Sequence, residues 1–195
     1  MPEEFSMKDA RRSFLLTPPA QPLPAGQAFL RQARFRLQED YRVKLTEALN
    51  SLSETQLWWR PNEVSNSVGN LVLHLAGNIR QWIIAGVGGQ SDVRDRASEF
   101  IVGAQQNKAE LLALLHATLA EVDAELSRLE TALQAAGNDA PLQRICLPQG
   151  YEQTVLDAVF HVVEHFSYHT GQIILLAKWL SNDGLRFYDE QQLNA

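Results

Sequence analysis

Apolar positions recur at helical intervals in four long segments of the chain. In the first, about Gln27 to Asn50, Phe29, Ala33, Leu37, Tyr41, Leu45 and Leu49 follow at i+4 steps. That spacing drifts slowly around a helix and gives one apolar stripe. The second segment starts after Ser65 and Asn66, both good N-caps, and ends at Gly86-Val87-Gly88-Gly89. Its stripe is Val68, Leu71, Val72, Leu75 and Ile79. The third, about Lys108 to Ala136, carries Leu111, Leu115, Leu119, Val122, Leu126, Leu129 and Leu133 as a heptad seam, ended by Gly137-Asn138. The fourth runs from about Thr154 to Ser181, before Asn182-Asp183-Gly184. Between the first two, Ser53 and Gln56 predict a capping box for a short turn that ends at Trp58-Trp59-Arg60-Pro61.

No segment alternates with period two, and Arg144–Leu147 reads as a short extended piece rather than part of a sheet. The expected class is all-α, a four-helix bundle with an extended N-terminal segment. Five of the eight prolines, Pro2, Pro18, Pro19, Pro22 and Pro24, mark that segment, because proline lacks a backbone donor and holds its predecessor extended. The expected division is a proline-rich extension over residues 1–26 and one bundle domain over 27–195. The connection from Gly86 to Gly103 is long for a hairpin, so it is expected to cross over or to carry a short helix.

Composition narrows the chemistry. The 195 residues hold 17 Lys+Arg against 23 Asp+Glu, a net charge of −6, which disfavours a nucleic-acid surface. An N-terminus with acids among its first four residues and only a three-residue apolar run, Phe14–Leu16, does not read as a secretory signal. The longest apolar runs, Ile173–Ala177 among them, are far short of a membrane span of about 20 residues. A cytoplasmic protein with no membrane partner is therefore expected. One cysteine, Cys146, excludes an internal disulfide framework and every multi-cysteine metal motif. Any metal must be held by histidines and carboxylates.

Three of the five histidines, His161, His165 and His169, lie within nine residues of the fourth segment. An i to i+4 step turns only about 40°, so all three project from one side of a helix. Adjacent pairs have H-x-x-x-H spacing, which lets two imidazoles reach one ion from successive turns. Histidines on helices are otherwise solvated or hydrogen-bonded structural residues, and that reading stands beside the metal one. No acid follows His165 in the slot a zincin protease needs, and no Glu-x-x-His pair occurs for a ferritin-like site. A third ligand must come from another helix, and His74, at the rim of the second stripe, is the best candidate. His116, off the heptad seam, reads as a solvated helix-face residue.

Two blocks carry a resemblance. Segment two reads Asn66-Ser67-Val68-Gly69-Asn70-Leu71-Val72-Leu73-His74-Leu75-Ala76-Gly77-Asn78, and segment four His165-Phe166-Ser167-Tyr168-His169-Thr170-Gly171-Gln172-Ile173. Both resemble the signature blocks of the DinB-like superfamily, in particular its branch of uncharacterised bacterial proteins. Trp58-Trp59-Arg60-Pro61 is similar to the W-x-P entry of the same block. The resemblance spans roughly Gln27 to Ser181. It implies a DinB-like four-helix bundle with a divalent metal, zinc or nickel, held by three histidines that match here to His74, His165 and His169. His161 then supports a ligating histidine, contacts a substrate or packs. Characterised members of the superfamily include thiol-dependent transferases and a maleylpyruvate isomerase, and many have no known activity.

Three neutral ligands would leave a divalent ion its full charge and an open position, able to acidify a bound water or thiol or to polarise a carbonyl. Transfer of a small thiol and hydrolysis of a small molecule are the two chemistries expected. The alternatives are a non-catalytic metal-binding bundle and a plain interaction protein. By helical spacing Asn78 and Gln172 are the nearest polar partners for the histidines, Asp157 is undecided, and Cys146 is incidental. Leu156, Val159, Phe160, Val163 and Ile174 form a further apolar face on segment four. Either the N-terminal extension or a second subunit should cover it, and a homodimer is expected.

Overall fold

The computed structural model describes residues 22–181 and 184–187. Most of the expected N-terminal extension, residues 1–21, lies outside the described residues. Residues 22–24 are non-helical, and the first helix begins directly after Pro24.

That helix, α1 (Ala25–Phe35), passes through a π-helical stretch (Arg36–Tyr41) into α2 (Arg42–Asn50). The π turn explains how the i+4 pattern reaches one core. Steps of four residues overrun an α-helical turn of 3.6, and the wider turn absorbs part of the drift. Leu37, Leu45 and Leu49 are consequently all buried, while Phe29 and Tyr41 pack at the margin. The capping box at Ser53 and Gln56 is present and starts the single turn α3 (Glu54–Leu57).

Helix α4 (Val68–Ile79) starts one residue later than the expected caps. Ser67 is its N-cap, in a box closed by the Asn70 side chain. A second π-helical stretch (Arg80–Val87) continues it. The long connection does carry a short helix, a 3-10 turn at Ser98–Phe100. Helix α5 (Lys108–Ala136) has the expected bounds: Asn107 and Glu110 form its capping box, and Gly137 ends it in the left-handed conformation at φ +65°. All seven seam residues of α5 are buried, each contributing about 1.5–3 kcal/mol by leaving water.

After the single turn α6 (Ala140–Gln143), the chain makes a two-residue antiparallel ladder between β1 (Ile145–Cys146) and β2 (Gln153–Thr154). The extended piece at Arg144–Leu147 is thus paired, which corrects the expectation that it belongs to no sheet. A two-residue pairing is too short to leave a periodic signal. Helix α7 (Val155–Leu180) then closes the fold, capped by Thr154 and Asp157.

The described residues are all-α apart from that ladder. Helix α4 packs on α5 and α7, and α2 packs on the same two helices from the other side. Their stripes meet in one apolar core that includes Leu45, Leu75, Leu115, Val162 and Phe166. The apolar face on α7, expected to be covered by the N-terminal extension or a second subunit, is largely covered by this core: Val159 is buried, and Leu156 and Val163 pack against the cluster. Only Phe160 of that set is exposed. No helix among the described residues is long and apolar enough to cross a membrane.

Candidate metal centre

Helices α4 and α7 run in opposite directions where they touch: His74 of α4 lies against His165 and His169, and Trp82, two turns later, lies against His161. One nitrogen from each of His74, His165 and His169 falls within 4.8 Å of the other two. The Nε2 atoms of His74 and His165 are 3.0 Å apart. The three histidines could therefore hold a metal ion. His74 is buried, and the other two are half-buried.

The connection between α4 and α5 fixes His74. Asn70 donates from its amide to the backbone carbonyls of Glu99 (2.9 Å) and Ile101 (3.0 Å), which pins the 3-10 turn onto α4. Glu99, only 5% exposed, then accepts a 2.8 Å hydrogen bond from His74 Nδ1. Arg94 donates to the same carboxylate from Nε (2.6 Å) and Nη2 (2.8 Å), and from Nη1 to Gln81 Oε1 (2.8 Å). Arg94 Nη2 also comes within 3.1 Å of His74 Nδ1. Two donors cannot bond each other, so the carboxylate between them serves both. Burial pushes the Glu99 carboxyl up, but the hydrogen bonds from Arg94 and His74 and the charge of Arg94 outweigh it and hold it below its ordinary value. The ring of Phe100 covers His74 at a centroid distance of 5.0 Å.

On the other helix, His169 Nδ1 lies 2.7 Å from Gln172 Oε1, an acceptor. The tautomers follow: His74 and His169 each carry the proton on Nδ1 and keep an Nε2 lone pair. Burial lowers the pKa of His165 to about 3, with the neighbouring histidines adding to the effect. Burial lowers His169 too, against an opposing bond from Gln172. With His74 protonated on Nδ1, His165 Nε2 donates to His74 Nε2, a bond that a metal, which requires neutral imidazoles, would replace. Two imidazoles bound tetrahedrally at about 2.0–2.1 Å have nitrogens roughly 3.3 Å apart. The 3.0 Å separation of His74 and His165 is close to that figure and the His169 nitrogen lies within 4.8 Å of both, so the three residues could hold an ion.

A family model matches residues 24–188, nearly the whole described chain. The protein belongs to the DUF1572 family. That family is described as proteins of unknown function. No curated protein matches the chain.

In this DUF1572 protein the remaining sequence candidates separate. Gln172 lies against His169 as its spacing suggested. Asn78 is buried on the stripe of His74, with no hydrogen-bond partner for its Oδ1 among the described residues. His161 lies flat on Trp82, with ring centroids 3.9 Å apart. Asp157 caps α7 and is exposed, away from the cluster. His116 is not simply solvated: it is half-buried, and its Nε2 pairs with Thr46 Oγ1 at 2.8 Å. A cleft of about 310 Å³ lined by Gln81, Gly86, Asp92, Cys146, Pro148 and Gln149 includes none of the histidines.

Sequence reasoning missed Glu99, Arg94 and Phe100. They sit on irregular backbone, where no periodicity marks a side chain as inward. The unusual length of the connection was the one available signal.

Proposed function

We propose that the protein is a DinB-like four-helix bundle, formed by residues 27–195, in which His74, His165 and His169 hold a divalent metal ion, zinc or nickel. We further propose that it is a metal-dependent enzyme acting on a small molecule, as a thiol transferase or a hydrolase. The observation that carries the reading is a pair of contacts on the ring nitrogens: Glu99 and Gln172 engage the Nδ1 atoms of His74 and His169, which leaves Nε2 as the unprotonated nitrogen of each. When bound, the ion would supply an acidified water or thiol and an electrophile for a carbonyl. Around it Glu99 orients His74, Gln172 orients His169, and Phe100 packs beside the His74 ring. Neutral nitrogen ligands suit zinc and nickel better than magnesium or calcium, which prefer oxygen.

Metal analysis of untagged protein purified without chelator tests the reading. One ion per chain is expected in the native protein, and none in His74→Ala or His165→Ala, both still helical by circular dichroism. A wild-type stoichiometry far below one after incubation with zinc or nickel would refute it. Screening small thiols with electrophiles, and esters and amides, against holo and apo protein then tests for turnover. One ion per chain with no turnover would favour the non-catalytic bundle.

The proposed homodimer rests on α7, where Phe160, Tyr168, Leu175 and Trp179 are exposed along one side. A second copy of the chain would cover them. Light scattering at micromolar concentration should give twice the chain mass of 21.9 kDa, and a monomer would end this part of the proposal.

A further inference from the structure

Six buried side-chain polar atoms have no hydrogen-bond partner among the described residues, and three of them, Asn78 Oδ1, Trp82 Nε1 and His161 Nε2, belong to residues one or two helical turns from the metal candidates. Asn78 is 3% exposed and Trp82 8%. Buried polar side chains are seldom left in this state, and a group of three in one place marks a position where something else supplies the bonds. Trp82 and His161 meet in the α4–α7 contact, and Asn78 stands one turn before Trp82 on the stripe of His74. His74, Asn78 and Trp82 step along α4 and its π-helical continuation at four-residue intervals. His169, His165 and His161 step along α7 in the opposite direction. The upper half of this ladder is the histidine cluster. The lower half is closed by Trp82 stacked on His161, which in turn stacks on His165 with centroids 5.4 Å apart.

We infer that Asn78, Trp82 and His161 form a second subsite, which binds an uncharged hydrogen-bonding group, an amide or hydroxyl, of the molecule whose other end occupies the metal. The inference rests on the metal reading above and deepens it. An amide side chain offers an acceptor, an indole offers only a donor, and an imidazole nitrogen serves as either, so the ligand group must both donate and accept. Neither the amide nor the indole ionises, and neither would compensate a carboxylate or ammonium for the water it loses on burial. Four residues of helix rise by about 6 Å, which sets the spacing between the metal-binding head and the polar group. Gln81 and Arg94, which serve Glu99, bond away from these three atoms. The subsite is therefore separate from the network that fixes His74.

Cobalt(II)-loaded protein provides a readout that needs no known reaction, because a thiolate bound to cobalt gives a charge-transfer absorption. Three thiols of similar size are titrated: 3-mercaptopropanamide, 1-butanethiol and 3-mercaptopropionate. The amide is expected to bind at least tenfold more tightly than either of the others. Trp82→Phe and Asn78→Leu should each remove most of that preference while leaving cobalt stoichiometry and the affinity for 1-butanethiol within about threefold of wild type. The wild-type series alone decides the matter if a variant fails to fold. Cobalt uptake without an amide preference overturns this inference and leaves the metal reading standing, as does a preference that survives in both variants. Failure to take up cobalt overturns the metal reading and this inference with it.

Discussion

Glu99 and His74 lie 25 residues apart in sequence, yet the carboxylate accepts a 2.8 Å hydrogen bond from the imidazole Nδ1 in the protein interior. The helix that bears His74 does not orient it alone. A turn from the following connection reaches back over the helix to do so, with Arg94 holding the carboxylate in place. Partners of this kind typically change metal affinity by about 10–100-fold when removed. Glu99→Ala should therefore weaken zinc binding by about that factor, measured by competition with a chromophoric chelator. Glu99→Gln, which keeps an acceptor for Nδ1, should lose less. Equal affinity in all three proteins would show that the carboxylate has no part in ligation.

Gly77 gives an independent handle on the same carboxylate. A Cβ built there would come within 2.0 Å of Glu99 Oε1 and 2.9 Å of its Cδ. Gly77→Ala must displace Glu99, and overpacking of this sort costs about 1–3 kcal/mol of stability. It should also lower zinc affinity in the direction of Glu99→Ala. Because both substitutions act through one contact, the double variant should bind only slightly more weakly than Glu99→Ala. Fully additive losses would mean that Gly77 acts by another route.

The buried imidazoles predict acid sensitivity in the metal-free protein. His165 is held at about 3 against an ordinary 6.5, so between those values the unfolded chain takes up a proton that the folded chain refuses. Stability is then complete above about pH 6.5 and falls as the pH drops toward 3. Burial lowers His161, His169 and His116 as well, which adds in the same direction. Glu99, held below its ordinary 4.5, contributes only at lower pH, where its stabilisation is lost. Urea unfolding in chelator should show a declining free energy from pH 7 to pH 5, and His165→Asn should flatten that decline. An unchanged slope in the variant would count against the assignment.

Cys146 is buried, and burial pushes its thiol up, with Asp157 adding to the rise and Arg144 opposing it. A protonated, shielded thiol is a poor nucleophile. Alkylation by iodoacetamide at pH 8 should be at least tenfold slower in the native protein than in urea. Cys146→Ser should leave metal stoichiometry at the wild-type value. Rapid native alkylation, or a loss of metal in the variant, would give the thiol a role that its surroundings do not support.

What could be read from the chain follows from what leaves a periodic or capping signal. Helix α5 was legible at both ends, because an unbroken seam of leucines runs up to a glycine that adopts the left-handed conformation. His165 and His169 were legible as a pair, because helical spacing alone puts them side by side. His74 was reached through the rim of its stripe and a motif, and it proves to be buried against the other two. The π-helical turns were not legible, since one extra residue per turn alters register without altering composition. Nor was the covered face of α7, because Val159 meets core residues contributed by other helices. Glu99 and Arg94 were hidden for a different reason: a buried ion pair on a loop looks, in sequence, like any pair of surface charges.

His74 and His165 are 91 residues apart along the chain. A ligand that grips both at once acts as a removable clasp between the two halves of the protein. It binds the folded chain and finds no equivalent site in the unfolded one, so its free concentration sets the folded fraction. At a hundred times its Kd, such a ligand adds about 2.7 kcal/mol to stability. The amount of intact protein would then rise and fall with the supply of the ion, before any question of turnover arises.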